Sequence, residues 1–165
     1  MKMKIHDIPS YFRRGKFLLY VPLATAIALI PSIALAMVAV RVTLWFDPNF
    51  FSSLPTPSPF TPFRVFIFSL LVPLVETWIV MWIIRTVRRF VRRPALIATI
   101  TAVICGIAHE LAFPLWFFTA VWSFFVFSYG FLIWQPYSSR YAFFAAFLPH
   151  ALLNFLVSLS AIFWP

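Results

Sequence analysis

The chain has 165 residues, of which 63% are hydrophobic and only 10% are charged, whereas a soluble domain is about half apolar and a quarter charged. This composition excludes an ordinary soluble domain and predicts a single membrane domain over residues 1–165. A net charge of +9 would suggest nucleic-acid binding in a soluble protein, but topology explains it in a membrane protein, so we predict no nucleic-acid partner.

The N-terminal part of the chain predicts a basic segment followed by a first membrane span. Residues 1–16 carry five Lys and Arg side chains, and no charge follows from residue 17 to residue 40. About 20 helical residues suffice to cross a hydrocarbon core of about 30 Å, so we predict a transmembrane helix over 17–40. The "ALA" at 34–36 also resembles a signal-peptide cleavage site, but the apolar run continues past it, which favours a retained anchor.

The next segment, 41–64, contains five prolines and no helical period, which is typical of a loop. Four further apolar runs follow, and each is long and lacks the alternation of a barrel strand. Because the backbone must satisfy its own hydrogen bonds in lipid, we predict an all-α polytopic integral membrane bundle of five transmembrane helices, with a Pro-rich external loop. The predicted spans after the first are 65–84, 95–113, 115–134 and 141–164.

The distribution of Lys and Arg over the loops predicts the orientation. The N-terminus holds five, the loop after the second span holds five more, and Arg140 adds one on the same side, whereas Arg41 and Arg64 lie on the other side. Loops rich in Lys and Arg stay in the cytoplasm. We therefore predict a cytoplasmic N-terminus and a C-terminus outside.

Four ionisable residues fall inside the predicted spans: Glu76, His109, Glu110 and His150. Such groups cost several kcal/mol in lipid and normally face a bundle interior or a wet cavity. Glu76 and His150 lie near the centres of their spans. His109 lies roughly 10 Å further out if the helices are straight, so the sequence leaves open whether it reaches the other two.

The stretch "FLPHALLNFL" places His150 and Asn154 four residues apart, on one face of a helix. Pro149 removes a backbone donor and frees a carbonyl one turn earlier. This combination favours a functional site over plain packing.

Each of these residues also has a simpler interpretation. His150 and Asn154 could bond neighbouring helices, which is worth ~1 kcal/mol in membranes. Glu76 could be a protonated carboxyl bonded to a neighbouring helix, and His109 a packing residue. Glu110 is rotated by about 100° from His109, so we predict a secondary place for it, near the outer interface or supporting a histidine.

Three segments together resemble the motifs of the CAAX-protease and bacteriocin-processing family of intramembrane endopeptidases, also called the Abi family. In that family a helix with EExxxR precedes a helix with FxxxH and later one with HxxxN. Here "PLVETWIVMWIIR", "CGIAHE" and "LPHALLNFL" stand in that order, and the resemblance covers about residues 65–158. Three positions depart from the pattern: Thr77 replaces the second glutamate, Met81 the arginine and Cys105 the phenylalanine.

The resemblance implies that Glu76, with His109, activates a water molecule, while His150 and Asn154 stabilise the oxyanion. It also implies a membrane-associated peptide or protein substrate, such as a prenylated CaaX-like terminus, a bacteriocin leader or another membrane-proximal peptide. We predict a bacterial or archaeal cytoplasmic membrane as the location, where a CaaX terminus itself is not the expected substrate. The four side chains offer the base and the donors that peptide hydrolysis needs.

A metal-dependent route stays open, with zinc held by His109, His150 and Glu76 and the water bound to it. The chain has no HExxH spacing, because Phe113 stands where the second histidine would be needed. It has no GxSxG stretch either, and its single cysteine, Cys105, lies in an apolar run, which favours packing.

Two other function classes also fit the composition. One is a non-catalytic scaffold or bacteriocin-immunity-like protein of the same fold. The other is a small transporter or proton-conducting bundle, for which buried Glu and His are expected, although five spans without internal symmetry give no inverted repeat. The oligomeric state cannot be read from these residues.

Overall fold

The structure, a computed structural model, describes residues 10–53, 61–112 and 115–163. These residues form helices and turns, with no strand among them, and five of the helices are long and apolar enough to cross a membrane. The prediction of an all-α polytopic membrane bundle is confirmed. The helices are α1 (Ser10–Phe46), α2 (Pro62–Val87), α3 (Pro94–Ala112), α4 (Trp116–Trp134) and α5 (Ser139–Phe163), with a 3-10 turn at Phe50–Ser53.

Helices α1 and α2 extend into the segment predicted as a loop. No Pro or Gly interrupts the six residues after residue 40, and α1 continues to Phe46. Helix α2 begins at Pro62, where the Thr61 side chain accepts the N–H of Arg64 at 3.3 Å and proline fits the first helical turn. The predicted boundaries of the loop, 41 and 64, are therefore both wrong. Helix α1 continues past the uncharged run that predicted its end, and α2 begins before the run that predicted its start.

The other three helices agree with the predicted spans to within two residues at each described end. Residues 1–9, 54–60, 113–114 and 164–165 lie outside the described residues, so the middle of the predicted Pro-rich loop does too. Most of the predicted basic N-terminal segment, and the last residues of the third and fifth predicted spans, fall there.

Helix α4 occupies the centre of the bundle. It packs antiparallel against α3 and α5 and also contacts α1, while α2 packs against α3 and α5. The α3–α4 approach depends on Gly106, where an added Cβ would collide with the Val121 side chain, as small residues permit close helix contact in membranes. Because α2 touches both α3 and α5, one inward side chain of α2 can reach both.

Polar contacts in the middle of α1 tie it to α4. Pro31 has no N–H for the carbonyl of Ile27, and the indole N–H of Trp122 donates to that carbonyl at 2.8 Å. One helical turn away, the hydroxyls of Ser32 and Ser123 lie 2.9 Å apart. A freed carbonyl in lipid needs a donor from the protein, and α4 supplies it.

The proline of α5 is compensated in the same way from α1. Pro149 withholds its N–H from Ala145, whose carbonyl accepts the hydroxyl of Tyr20 at 3.2 Å. Gly130 of α4 leaves room for that hydroxyl, since a Cβ there would collide with it. The sequence-based expectation of a freed carbonyl beside His150 is confirmed, and its partner is a tyrosine.

Helix α2 changes its hydrogen-bond register near its start. Over Ile67–Leu71 it is a π-helix, and the N–H of Val72 donates to Ile67 rather than to Phe68 as in an α-helix. In the π register the next donor toward Phe68 would come from Pro73, which has no N–H. The Phe68 carbonyl is thus directed toward a side-chain donor.

Candidate functional site

Glu76, His109 and His150 meet inside the bundle, one each from α2, α3 and α5. Glu76 Oε1 lies 3.4 Å from His109 Nε2, and Glu76 Oε2 lies 3.2 Å from His150 Nε2. The side chains of Glu76 and His109 are each 24% exposed, whereas that of His150 is 6% exposed. The cluster therefore has one buried side, formed by His150, and one partly exposed side, formed by Glu76 and His109.

The direction in which helical side chains lean brings His109 to the depth of Glu76. His109 lies 15 residues beyond the start of α3, and Glu76 lies 11 residues before the end of α2, so their Cα depths differ by about 6 Å. Side chains lean toward the N-terminus of their own helix. Since α2 and α3 run in opposite directions, the two side chains lean toward each other, and the predicted offset does not separate them.

The bonds of His109 define how many protons the cluster holds. Its Nδ1 lies 2.8 Å from the backbone carbonyl of Cys105, and because a carbonyl only accepts, Nδ1 carries a proton. In a neutral ring Nε2 then has only a lone pair, so its contact with Glu76 needs one more proton, on Nε2 or on the carboxyl group. The Glu76–His109 pair therefore shares one proton, while a neutral His150 can donate its Nε2–H to Glu76.

Helix α4 contributes an aromatic wall and no ionisable group. The Phe124 ring centroid lies 5.0 Å from that of His109 and 5.2 Å from that of His150, and Phe127 stacks on His150 at 4.7 Å and 18°. Both phenylalanines are buried. They could not be singled out from the sequence, because aromatic residues are frequent throughout the chain. Their only signal is the i, i+3 spacing on the central helix.

Asn154 lies one turn beyond His150, but its side chain is engaged elsewhere. Its Nδ2 donates to the carbonyl of Phe68 at 3.1 Å, which is the carbonyl exposed by the π-helical segment and Pro73. Among the described residues, Asn154 makes no hydrogen bond to Glu76, His109 or His150. The structure thus brings together three of the four predicted site residues, Glu76, His109 and His150. The fourth, Asn154, bonds the backbone carbonyl of Phe68 instead.

Glu110 serves the turn between α3 and α4. Its carboxylate accepts the N–H of Leu115 at 3.2 Å and that of Phe117 at 3.0 Å. Leu115 has a φ of 78°, which costs a non-glycine residue roughly 1–2 kcal/mol. Glu110 therefore caps α4 at the exposed end of α3, and among the described contacts it does not support a histidine.

The same geometry bears on metal binding. The described residues contain no group of three or more His, Cys, Asp or Glu side chains arranged to hold a metal ion. Each oxygen of Glu76 lies at hydrogen-bond distance from one imidazole. Imidazole nitrogens and a carboxylate are also ligands that zinc binds in proteins. Zinc held by Glu76, His109 and His150 stays a prediction.

The Cys105 side chain is buried beside the cluster, and its contribution to the cluster is the backbone carbonyl that fixes His109. This is consistent with the packing role expected from the sequence.

Comparisons of the chain with protein-family models, curated proteins and solved structures found no match.

Proposed function

We propose that this protein is an intramembrane endopeptidase that hydrolyses a peptide bond of a membrane-associated peptide or protein. The observation that carries the proposal is the Glu76 carboxylate bonded to two histidines from two other membrane helices. Ionisable groups at such depth are costly, and a carboxylate beside imidazoles is a recurrent arrangement for acid–base chemistry. Glu76 and His109 are each partly exposed, and the proposed reaction requires that water and a peptide reach them on this side.

In the proposed reaction the shared proton first resides on His109, which leaves Glu76 as a carboxylate. Glu76 takes a proton from water as the water oxygen forms a bond to the scissile carbonyl carbon. The resulting oxyanion accepts the Nε2–H of His150, whose ring is held by Phe127. When the C–N bond breaks, the proton held by the Glu76–His109 pair passes to the leaving amine, so the products are a carboxylic acid and an amine.

Asn154 is assigned a positioning role in this proposal. Its amide holds α5 against the π-helical segment of α2 through the Phe68 carbonyl, and this bond fixes the relative position of the helices that carry His150 and Glu76. A direct bond from Asn154 to the oxyanion would require the amide to leave Phe68.

The test is cleavage of a membrane-anchored reporter by the purified full chain in proteoliposomes. The probe is a pool of single-span peptides with randomised residues near the membrane, and new termini are read by mass spectrometry. Glu76→Gln and His109→Gln should lower the rate by about 10²–10⁴-fold, as expected for lost acid–base catalysis. Asp47→Asn is the matched control, because it makes the same carboxylate-to-amide change at an exposed turn.

Cleavage by the Glu76→Gln variant at the wild-type rate would overturn the assignment. If the wild-type chain cleaved no member of the pool, the non-catalytic scaffold would be favoured instead. Metal analysis of the same preparations, with and without a chelator, separates the zinc route from the metal-free route: stoichiometric zinc that is lost in His150→Ala would favour zinc.

A second candidate is proton conduction, and the shared proton of Glu76 and His109 favours it. A proton-conducting bundle requires groups that exchange protons within the membrane. Proteoliposomes under a K⁺ diffusion potential would acidify in the presence of the wild-type chain and not of Glu76→Gln. Peptide cleavage without such acidification would favour the endopeptidase.

We also propose that the N-terminus lies in the cytoplasm and the C-terminus outside. The support is the Arg-rich turn between α2 and α3, since positively charged turns are retained on the cytoplasmic side. A cytoplasmic membrane of a bacterium or archaeon is the location that accompanies this orientation.

A further inference from the structure

The basic segments of the chain that the structure describes converge at one end of the bundle. The side chain of Arg88 donates to Gln135, which joins the α2–α3 turn to the α4–α5 turn. The start of α1 joins them, because the Phe17 ring lies 5.1 Å from both Trp134 and Tyr141. The two turns and the start of α1, which are distant in sequence, therefore form one surface.

This surface, called the basic face below, has a high density of positive charge and no described counter-charge. The described carboxylates lie elsewhere: Glu76 is in mid-span, and Asp47 and Glu110 are at the opposite ends of their helices. Both ion pairs among the described residues involve Glu76. The basic face consists of six exposed arginines, Arg85, Arg88, Arg89, Arg92, Arg93 and Arg140, together with Phe90.

Phe90 distinguishes this face from a merely solvated charged turn. It lies in the turn after α2, between two pairs of arginines, and is 84% exposed. An aromatic ring at the end of membrane helices is stable among headgroups and upper acyl chains, and basic residues around it attract anionic lipid. A turn that faces only water gains nothing from a phenylalanine that is 84% exposed at this position.

We propose that the basic face binds the phosphate groups of anionic phospholipids, with Phe90 inserted at the headgroup–acyl boundary. The arginines supply planar donors suited to phosphate oxygens. Arg88 is partly committed to Gln135. Of the other five arginines, Arg89, Arg92 and Arg93 lie nearest to Phe90 in the sequence, and we assign the principal contacts to them. The proposal is independent of the endopeptidase reaction, because none of these residues lies in the Glu76 cluster.

The test is native mass spectrometry of the purified full chain with phosphatidylglycerol or phosphatidylcholine of identical acyl chains. The wild-type chain should bind phosphatidylglycerol more tightly. A combined Arg89→Gln, Arg92→Gln and Arg93→Gln variant should lose about fivefold in affinity for each charge removed, from the attraction expected per basic residue near an anionic surface. The corresponding Arg→Lys variant should keep most of the affinity, and Arg41→Gln, at the other end of the bundle, should keep all of it.

Phe90→Ser should weaken binding of the lipid with all charges intact; unchanged affinity would overturn the insertion of Phe90. Equal affinity for the two lipids, or a triple Gln variant as tight as Arg41→Gln, would overturn the site. Displacement of the lipid by inorganic phosphate at constant ionic strength would show a free-phosphate site. Tighter binding of a short DNA duplex than of phosphatidylglycerol would show a nucleic-acid face and would equally overturn the proposal.

Discussion

Glu76 joins three helices through a single carboxylate. Its two oxygens contact different histidines, so removing the carboxylate removes an interaction from α3 and from α5 at once. The backbone bond of His109 to Cys105 and the stacking of Phe127 on His150 hold both imidazoles without Glu76. We therefore expect Glu76→Gln, which retains size and polarity, to change proton transfer more than it changes the fold.

The role of Asn154 can be tested by substitution. A positioning role and direct binding of the oxyanion predict different results. If it positions α2, Asn154→Leu should lower the free energy of unfolding by about 0.6–1.7 kcal/mol, the range of membrane hydrogen bonds. Adding Pro73→Ala should then restore stability and cleavage, since residue 73 regains an N–H for Phe68. The measurements are unfolding in mixed micelles and reporter cleavage.

If Asn154 instead binds the oxyanion, the outcome differs. Asn154→Leu would lower kcat by about 10²–10³-fold, with stability unchanged and no rescue by Pro73→Ala. That result would contradict the positioning role. Thr99→Ala, which removes an exposed side chain whose bond stays within α3, is a control for unspecific effects of substitution.

At the scale of helices, prolines set where the bundle is cross-linked. Pro31, Pro73 and Pro149 each withhold a backbone N–H, and in each case a side chain of another helix bonds the affected carbonyl. In water such a carbonyl would be hydrated, but in lipid the protein must supply the donor. These three prolines thereby contribute to which helices pair.

The energetic dependence of the Tyr20 hydrogen bond on Pro149 can be measured. Tyr20→Phe removes the donor to Ala145 and should destabilise the wild-type chain by about 1 kcal/mol. In a Pro149→Ala background the carbonyl regains its backbone donor, so the same substitution should cost much less. A double-mutant cycle of unfolding free energies measures the difference. Tyr129→Phe, at an exposed position, is the matched control, and equal costs in both backgrounds would contradict the account.

The helices themselves could be predicted from the sequence, and so could the three ionisable residues that meet inside the bundle. Long uncharged runs specify spans, and the cost of ionisable groups in lipid singled out Glu76, His109 and His150. The partner of Asn154 could not be predicted, because it depends on a register change in α2 that no periodicity signals. Phe124 and Phe127 were missed since their role arises only when α4 occupies the centre of the bundle.

For the whole molecule, the orientation is directly testable. Five spans would place the two termini on opposite sides of the membrane, and we expect the basic face to be cytoplasmic. In a Cys105→Ser background, a cysteine at Arg89 should resist a membrane-impermeant maleimide applied to intact cells, while one at Phe51 should react. Labelling in the reverse pattern would contradict the proposed orientation.

In the proposed reaction, one glutamate and two histidines held by three membrane helices activate water. The most direct measurement is cleavage of the anchored reporter in ¹⁸O-labelled water, with wild type, Glu76→Gln and Asp47→Asn compared. We expect one ¹⁸O atom in each new C-terminal carboxylate for wild type and Asp47→Asn, and no labelled product for Glu76→Gln. New termini formed without ¹⁸O, or formed equally by Glu76→Gln, would contradict it.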